Sequence, residues 1–220
     1  IYDLDTYYYY AYAKNAYGES RSDFMEFSLA YMDLSQSGTA NCYIVQTPGQ
    51  YKFDASVRGN SVESVGSPAS AEIVWQFTDP EQANANLITS VNLNGNYVEF
   101  VVADNATYGN ALIAVKDAAG TILWSWHIWI CDFDPELTSH KYQSGNIVMD
   151  RNLGATLVES NTLEQMKRAS GTLYQWGRKD PMTIGTITSQ RHPFSTPEES
   201  YAEPTSFIWQ EMYWTYQWDK

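Results

Sequence analysis

The chain has 220 residues, of which 44% are hydrophobic and 18% charged, a balance that excludes an intrinsically disordered protein and allows one or two domains with real cores. Its formal net charge of −13 argues against nucleic-acid binding and against an anionic membrane surface, because both need clustered Lys and Arg, and the 13 present are scattered. No apolar stretch approaches the roughly 20 residues that a membrane-spanning helix needs.

Residues 1–29 predict two β-strands joined by a turn. Residues 8–13 are rich in β-formers, residues 15–18 combine Asn and Gly as turns do, and residues 24–27 alternate apolar and polar side chains. Two strands alone are only marginally stable in water. We therefore expect this hairpin to pack against the rest of the chain or against another copy.

Residues 30–135 predict a complete antiparallel β-sandwich, because short apolar runs alternate with turn residues every 8–12 positions. The clearest hairpin joins residues 111–116 to residues 121–131. In its second strand, Trp124 and Trp126 share one face, and the opposite face is also mostly apolar. A strand that is apolar on both faces is covered on both sides, so we expect this hairpin near the centre of the sandwich.

Residues 136–220 predict a loop-rich α+β region with little regular structure. Strand signals are short, residues 161–168 fit one or two helical turns, and residues 182–206 read as a loop rich in Thr, Ser and Pro. Aromatic residues return at 207–209 and 213–218.

Two segments of this region combine short apolar strands with Gly, Asn, Arg and Asp. They are residues 148–156 (VMDRNLGAT) and 173–181 (LYQWGRKDP). Gly and Asn tolerate positive φ, and buried polar side chains satisfy the main-chain groups of irregular loops.

The sequence begins and ends abruptly, so we expect a piece of a longer protein. Strands at 148–153 and 174–177 would then have unpaired edges, which allow a homo-oligomer.

Catalytic and metal-binding patterns are weak. His127, His140 and His192 lie far apart, and none belongs to a recognisable metal-binding pair. His127 stands between tryptophans on a predicted strand, so we expect it to be buried with one backbone hydrogen bond.

No nucleophile motif or phosphate-binding loop occurs, and we predict that the chain is not an enzyme. A carboxylate pair of a glycoside hydrolase has no fixed spacing, so a hydrolase accessory domain stays a third possibility.

Three carboxylates at alternate positions, Asp132, Asp134 and Glu136, form a weak calcium candidate. The segment lacks the Gly and the closing Glu of an EF-hand loop. We favour a solvated linker between the two regions as its interpretation.

The two cysteines, Cys42 and Cys131, stand at the start of the first sandwich strand and at the end of the last. If these strands run parallel, the sulfurs lie at opposite ends, beyond the Cα separation of about 7 Å that a disulfide tolerates. An antiparallel arrangement would let them meet. We favour unpaired thiols, each packed as a small hydrophobic side chain.

Several phrases occur in an order that resembles a family of surface proteins. They are residues 41–45 (NCYIV), 109–115 (GNALIAV), 120–129 (GTILWSWHIW), 148–155 (VMDRNLGA) and 174–181 (YQWGRKDP). Together they are similar to the fimbrillin-associated and Fibrobacter succinogenes major paralogous domain (FISUMP) proteins of Bacteroidota cell envelopes. Residues 4–18 (LDTYYYYAYAKNAYG) resemble the last hairpin of a fibronectin type III module.

The resemblance implies a mainly β fold in three parts. Residues 1–29 would be the last hairpin of a fibronectin type III-like module, and residues 30–135 an Ig-like antiparallel β-sandwich. Residues 136–220 would be an incomplete, C-type-lectin-like α+β domain. The family's terminal domain continues into a Cys-Pro-x-Gly-(Trp/Tyr)-Arg-Val-Pro segment that this sequence lacks.

The resemblance also implies export to the outer cell surface, with any lipoprotein anchor in a part not present here. It implies adhesion or glycan binding without catalysis or a cofactor, and a host or dietary glycan or a surface protein as the partner. The alternative is a passive structural stalk or scaffold.

Aromatic rings beside polar groups are the physical candidates for ligand binding, because sugars stack on rings and bond to charged or amide groups. These candidates are Tyr174, Trp176, Arg178, Asp180, Trp209 and Trp214. The competing interpretation, which we favour, is that Trp176, Arg178 and Asp180 build the fold, with Trp176 in the core and Arg178 paired with Asp180 across a loop.

Overall fold

The computed structural model describes residues 6–28, 30–79, 82–83, 86–191 and 196–208. The protein is mainly β, with 42% strand, 10% helix and several antiparallel sheets, which confirms the predicted fold class at this level. No helix among the described residues is long and apolar enough to cross a membrane.

The N-terminal segment forms an antiparallel ribbon. Its strands are β1 (Thr6–Tyr9), β2 (Tyr12–Asn15), β3 (Gly18–Arg21) and β4 (Met25–Ser28). Strand β1 pairs with β4 and β2 with β3, around a turn at the predicted position. We expected the hairpin to pack on the sandwich or on another copy. Side chains 8–25 are all exposed, so this part of the ribbon does not pack on the sandwich. Contact with another copy stays a prediction.

Nine strands form the two sheets of a sandwich. They are β5 (Met32–Asp33), β6 (Cys42–Val45), β7 (Gly49–Asp54), β8 (Ser70–Asp79), β9 (Gln82–Ala83), β10 (Ile88–Asn94), β11 (Tyr97–Val102), β12 (Gly109–Lys116) and β13 (Ile122–Ile130). The first sheet has the order β10-β11-β7-β5 and the second β6-β13-β12-β8-β9. Strands β5 and β6 pair in parallel with their neighbours, and the other pairs are antiparallel.

Aromatic side chains fill the space between the sheets. The Phe53 ring lies 4.9 Å from that of Tyr43 and 5.1 Å from that of Trp126. Trp126 is 0% and Trp124 only 6% exposed, and β12 and β13 occupy the middle of their sheet. The predicted central position of this hairpin is therefore confirmed.

The parallel pairing of β6 with β13 places Cys42 opposite His127, and Val45 opposite Ile130. Cys131 therefore lies at the other end of the paired strands from Cys42. Both thiols are free, as we predicted from a parallel arrangement.

The C-terminal region adds short elements. They are α1 (Pro135–Thr138), β14 (His140–Lys141), β15 (Ile147–Val148), α2 (Leu163–Ser170), β16 (Leu173–Tyr174), β17 (Pro181–Met182), a 3-10 helix (Ile184–Thr186), β18 (Ser189–Arg191), α3 (Pro197–Ala202) and β19 (Ser206–Ile208). Among the described strands, β15 pairs only with β14 and β16 only with β17, so each keeps the predicted unpaired edge.

Helix α2 confirms the predicted helical turns. Thr162 and Gln165 form a capping box at its start, and Gly171 ends it with a φ of 75°.

The prediction of a loop over 182–206 was wrong, because this segment contains β18 and α3. The signal was present in the sequence, since Thr196 caps α3 directly before a proline at its first turn.

The C-terminal region covers the outer face of the five-stranded sheet. The Trp129 indole donates to the carbonyl of Ala155 (3.2 Å), and the Asn110 amide donates to that of Gly154 (2.9 Å). Gly185 lies so close to Phe77 that an added Cβ would be 2.6 Å from its ring. This cover explains why β13 is apolar on both faces, and it shows that the described parts of the sandwich and of the C-terminal region pack against each other.

Candidate functional site

The loop of residues 175–180 joins β16 to β17 and carries three of the predicted binding residues, Trp176, Arg178 and Asp180; a fourth, Tyr174, precedes it at the end of β16. The amide of Arg178 donates to the carbonyl of Gln175 (3.0 Å), and Gly177 takes a φ of 78°, which favours glycine. Trp176 lies at the tip of this turn and is 100% exposed. The interpretation of Trp176 as a core residue is therefore wrong, because the turn directs it into solvent.

Gln175 fixes one end of this loop. Its side-chain amide donates to the carbonyl of Ile208 (2.7 Å) and accepts from the backbone amide of Ile208 (2.9 Å). The side chain therefore pairs with β19 as a neighbouring strand would. Trp209 and Trp214 lie outside the described residues, and the segment that holds them follows directly after Ile208.

Arg178 holds the loop to α3 and β19. Its guanidinium donates to the carbonyls of Ser206, Glu203 (2.6 Å) and Ser200 (3.2 Å). Burial lowers the pKa of Arg178 from its ordinary value. These bonds assign the Arg178 guanidinium to building the fold, because all three acceptors are main-chain carbonyls of α3, of β19 and of the turn between them.

Asp180 and Lys179 form a buried ion pair against the sandwich. Asp180 is 3% exposed and accepts from the Lys179 ammonium (2.5 Å) and from the Ser125 hydroxyl (2.6 Å). The ammonium also donates to the carbonyl of Ser125 (2.9 Å) and lies 4.4 Å from the ring centroid of Trp124. Burial lowers the pKa of Lys179, and Asp180 opposes that shift. Asp180 is thus a fold-building residue, and it forms its ion pair with Lys179, the neighbour of the expected Arg178.

Tyr174 is 39% exposed, and its hydroxyl reaches a polar cluster around the buried His127 that the sequence did not reveal. Its hydroxyl lies 3.3 Å from Nδ1 of His127, as does the sulfur of Cys42. Nε2 of His127 lies 2.9 Å from Oδ1 of Asn110, whose amide nitrogen donates to Gly154. The prediction of burial for His127 is confirmed at 2% exposure, and its ring bonds to side chains rather than to the expected backbone group.

The hydrogen bond from Asn110 to Gly154 determines which nitrogen of the neutral His127 imidazole carries the proton. Because the Asn110 nitrogen is turned toward Gly154, its oxygen faces His127 and accepts the proton on Nε2. Nδ1 then carries a lone pair that accepts from Cys42 or Tyr174.

Cys42, His127 and Asn110 stand in the order thiol, imidazole and amide, which is the order of groups in cysteine nucleophile sites. Such a site needs a thiolate beside an imidazolium. Here burial raises the pKa of Cys42 to about 12 and lowers that of His127 to about 3. Both shifts favour the neutral thiol and the neutral imidazole, and the hydrogen bonds of the cluster connect the sandwich with the C-terminal region.

Two of the three carboxylates of the calcium candidate, Asp132 and Asp134, have other roles in the structure. Asp132 accepts from the Arg151 guanidinium, which also bonds Asp150 and lowers its pKa. Asp134 accepts from the amide of Leu137 at the start of α1 (3.2 Å). The side chain of Glu136 is outside the described part. Over the residues that the structure describes, no group of three His, Cys, Asp or Glu side chains is arranged to hold a metal ion.

No family model matches the chain, and no significant match was found among the curated proteins or among the solved structures.

Proposed function

We propose that the chain is a non-catalytic binding module of a bacterial cell surface, in which Trp176 is the principal contact for a glycan. The observation that carries this proposal is the full exposure of Trp176 on a loop whose neighbouring residues are held by internal bonds. A large ring on a fixed loop offers contact area with little conformational entropy left to lose on binding. A single exposed ring outside a cleft suits the flat face of a sugar.

The strand order supports an Ig-like interpretation of residues 30–135. In Ig-like sandwiches, the second, fifth and fourth strands form one sheet, and the third, sixth and seventh strands form the other. Strands β7, β11 and β10 correspond to the first set, and β8, β12 and β13 correspond to the second. The short strands and helices after residue 136 are compatible with a lectin-like domain. Membership of the FISUMP-type family, export and surface display rest on the sequence resemblance.

Glycan binding by this chain should depend on Trp176. We expect Trp176→Ala to weaken binding of any glycan found on an array by about tenfold or more, the loss typical of an aromatic hot spot. The affinity of each variant would be measured by calorimetry on the purified chain. Tyr17→Ala is the matched control, because Tyr17 is 99% exposed at the turn of the ribbon and is not part of the loop of residues 175–180. Equal losses for both variants, or no loss for Trp176→Ala, would contradict the proposal.

A structural stalk is the second candidate. The observation that favours it is that Arg178, Lys179 and Asp180 direct their charged groups inward, so they stabilise the loop and do not face a ligand. Absence of binding to glycans and to surface proteins by the chain would support this alternative.

A further inference from the structure

The cluster around His127 lies where the C-terminal region meets the outer strand of the five-stranded sheet. Cys42 is on β6, the outermost strand, His127 is on the neighbouring β13, and Tyr174 ends β16. His127 is 2% exposed, whereas Cys42 is half-buried and Tyr174 is 39% exposed. The imidazole is therefore inside the protein, and the thiol and the phenol are its more accessible neighbours.

Two donors compete for one acceptor in this cluster. The Cys42 sulfur and the Tyr174 hydroxyl oxygen each lie 3.3 Å from Nδ1 of His127. Nδ1 has a single lone pair, because the neutral ring carries its proton on Nε2 and donates it to Asn110. Only one of the two donors can direct a hydrogen at that lone pair at a time. A positive ion in place of the two protons would bind all three groups at once.

We propose that Cys42, His127 and Tyr174 bind a divalent cation of the zinc type, with the thiolate, Nδ1 and the phenolate as its ligands. Tetrahedral zinc, with bonds of about 2.3 Å to sulfur and about 2.0–2.1 Å to nitrogen or oxygen, places neighbouring ligand atoms about 3.3–3.6 Å apart. The sulfur and the oxygen each lie 3.3 Å from Nδ1, so the three groups already have the spacing of ligands. Tyr174 supplies the third ligand, where His and Cys supply only two.

The surroundings of His127 fix the tautomer that a cation at Nδ1 needs. A metal-bound histidine usually donates its other ring N–H to a carbonyl or carboxylate oxygen, which holds the ring in place. Here Nε2 donates to the Asn110 oxygen (2.9 Å), and the Asn110 amide nitrogen donates to the carbonyl of Gly154 (2.9 Å). Asn110 is 8% exposed, so this support lies inside the protein.

Charge favours a divalent cation over a monovalent one. An ion that is buried without counter-charges is costly. A coordinating thiol loses its proton outright, and with the phenolate it supplies two negative charges, which balance a divalent ion and leave the loaded site neutral. A monovalent ion would leave one negative charge without a partner. Because Tyr174 is partly exposed, the cation can enter from solvent and keep a water molecule as its fourth ligand.

The site would tie the two parts of the protein together. Cys42 and His127 belong to the sandwich, and Tyr174 belongs to the C-terminal region. A cation that binds only the folded chain stabilises it. Zinc chloride should therefore raise the melting temperature of the wild-type chain and leave that of Cys42→Ser unchanged. This proposal does not rest on glycan binding by Trp176.

Cobalt(II) tests the site, because it adopts the tetrahedral geometry of zinc and absorbs light when a thiolate binds it. Cobalt(II) chloride would be titrated into the reduced, metal-free chain. The wild type should show a thiolate-to-cobalt charge-transfer band that saturates at one equivalent, and zinc chloride should displace the cobalt. Cys42→Ser should abolish the band. Tyr174→Phe should keep the band, because the sulfur remains, but with an affinity at least about tenfold lower, since even the loss of a group behind a ligand costs roughly 10–100-fold.

Cys131→Ala and His140→Gln are the controls. Cys131 is the second thiol of the chain, at the other end of the paired strands, and His140 is an exposed imidazole on β14. Both variants should bind cobalt like the wild type, and circular dichroism would check each fold. Tyr174→Phe keeps the proposal testable if Cys42→Ser does not fold, because it removes only a hydroxyl group.

Four results would overturn the proposal. They are the absence of a charge-transfer band in the wild type, a band that survives in Cys42→Ser, an unchanged affinity in Tyr174→Phe, and loss of the band in a folded control.

Discussion

Asp180→Ala should lower the free energy of unfolding by about 3–5 kcal/mol, the loss expected when one partner of a buried ion pair is removed. The carboxylate is 3% exposed and holds both the Lys179 ammonium and the Ser125 hydroxyl. In the variant, the Lys179 ammonium would remain buried without a counter-ion. Urea unfolding of the wild type and the variant at neutral pH measures the difference.

Glu72→Ala is the matched control for this prediction. Glu72 lies 2.6 Å from the Lys116 ammonium, but the two side chains are 39% and 26% exposed. Solvent screens such a pair, so we expect a change below about 1 kcal/mol. Similar small losses for both variants would show that the Lys179–Asp180 pair does not hold the C-terminal region on the sandwich.

Acid should destabilise the fold through His127. In the folded chain burial lowers the pKa of His127 to about 3, whereas an unfolded histidine titrates near 6.5. Between these values the unfolded chain binds a proton that the folded chain does not. The stabilisation is therefore complete above pH 6.5 and decreases as the pH falls toward 3. At pH 4 the loss should be about 3 kcal/mol.

The test compares how the free energy of unfolding changes between pH 7 and pH 4.5, where most carboxylates stay ionised. His127→Gln should reduce this pH dependence, whatever its effect at pH 7. His140→Gln should keep the wild-type dependence, because His140 is exposed on β14. An unchanged dependence in His127→Gln would contradict the assignment of a buried neutral imidazole.

The sequence predicted the centre of the sandwich well, for a simple reason. A strand with apolar residues on both faces, such as 122–130, has to be covered twice, and period-two patterns reveal this directly. The identity of the second cover was not predictable. It consists of short segments around Gly154, Ala155 and Gly185, whose contacts with β12, β13 and Phe77 depend on tertiary placement.

At the candidate site, the residue types predicted the kind of structure, but the sequence did not predict which groups would bond to each other. An Arg, a Lys and an Asp next to a glycine predicted a loop fixed by polar contacts, but sequence alone does not say which carbonyl Arg178 or which cation Asp180 meets. The cluster of Cys42 and His127 spans 85 positions and depends on the parallel pairing of β6 with β13. No local pattern encodes that pairing, so the cluster could not have been found from the sequence.

The central claim is that Trp176 is a solvent-exposed ring on a fixed loop and contacts the ligand. Fluorine NMR of the chain labelled with 5-fluorotryptophan tests it most directly, with the Trp176 signal assigned from Trp176→Phe. Trp75, Trp124, Trp126 and Trp129 are at most 7% exposed. The Trp176 signal should show a larger solvent isotope shift in D₂O than theirs, and a bound glycan should move it most. A Trp176 signal that is insensitive to D₂O, or unmoved while a glycan binds, would contradict the account.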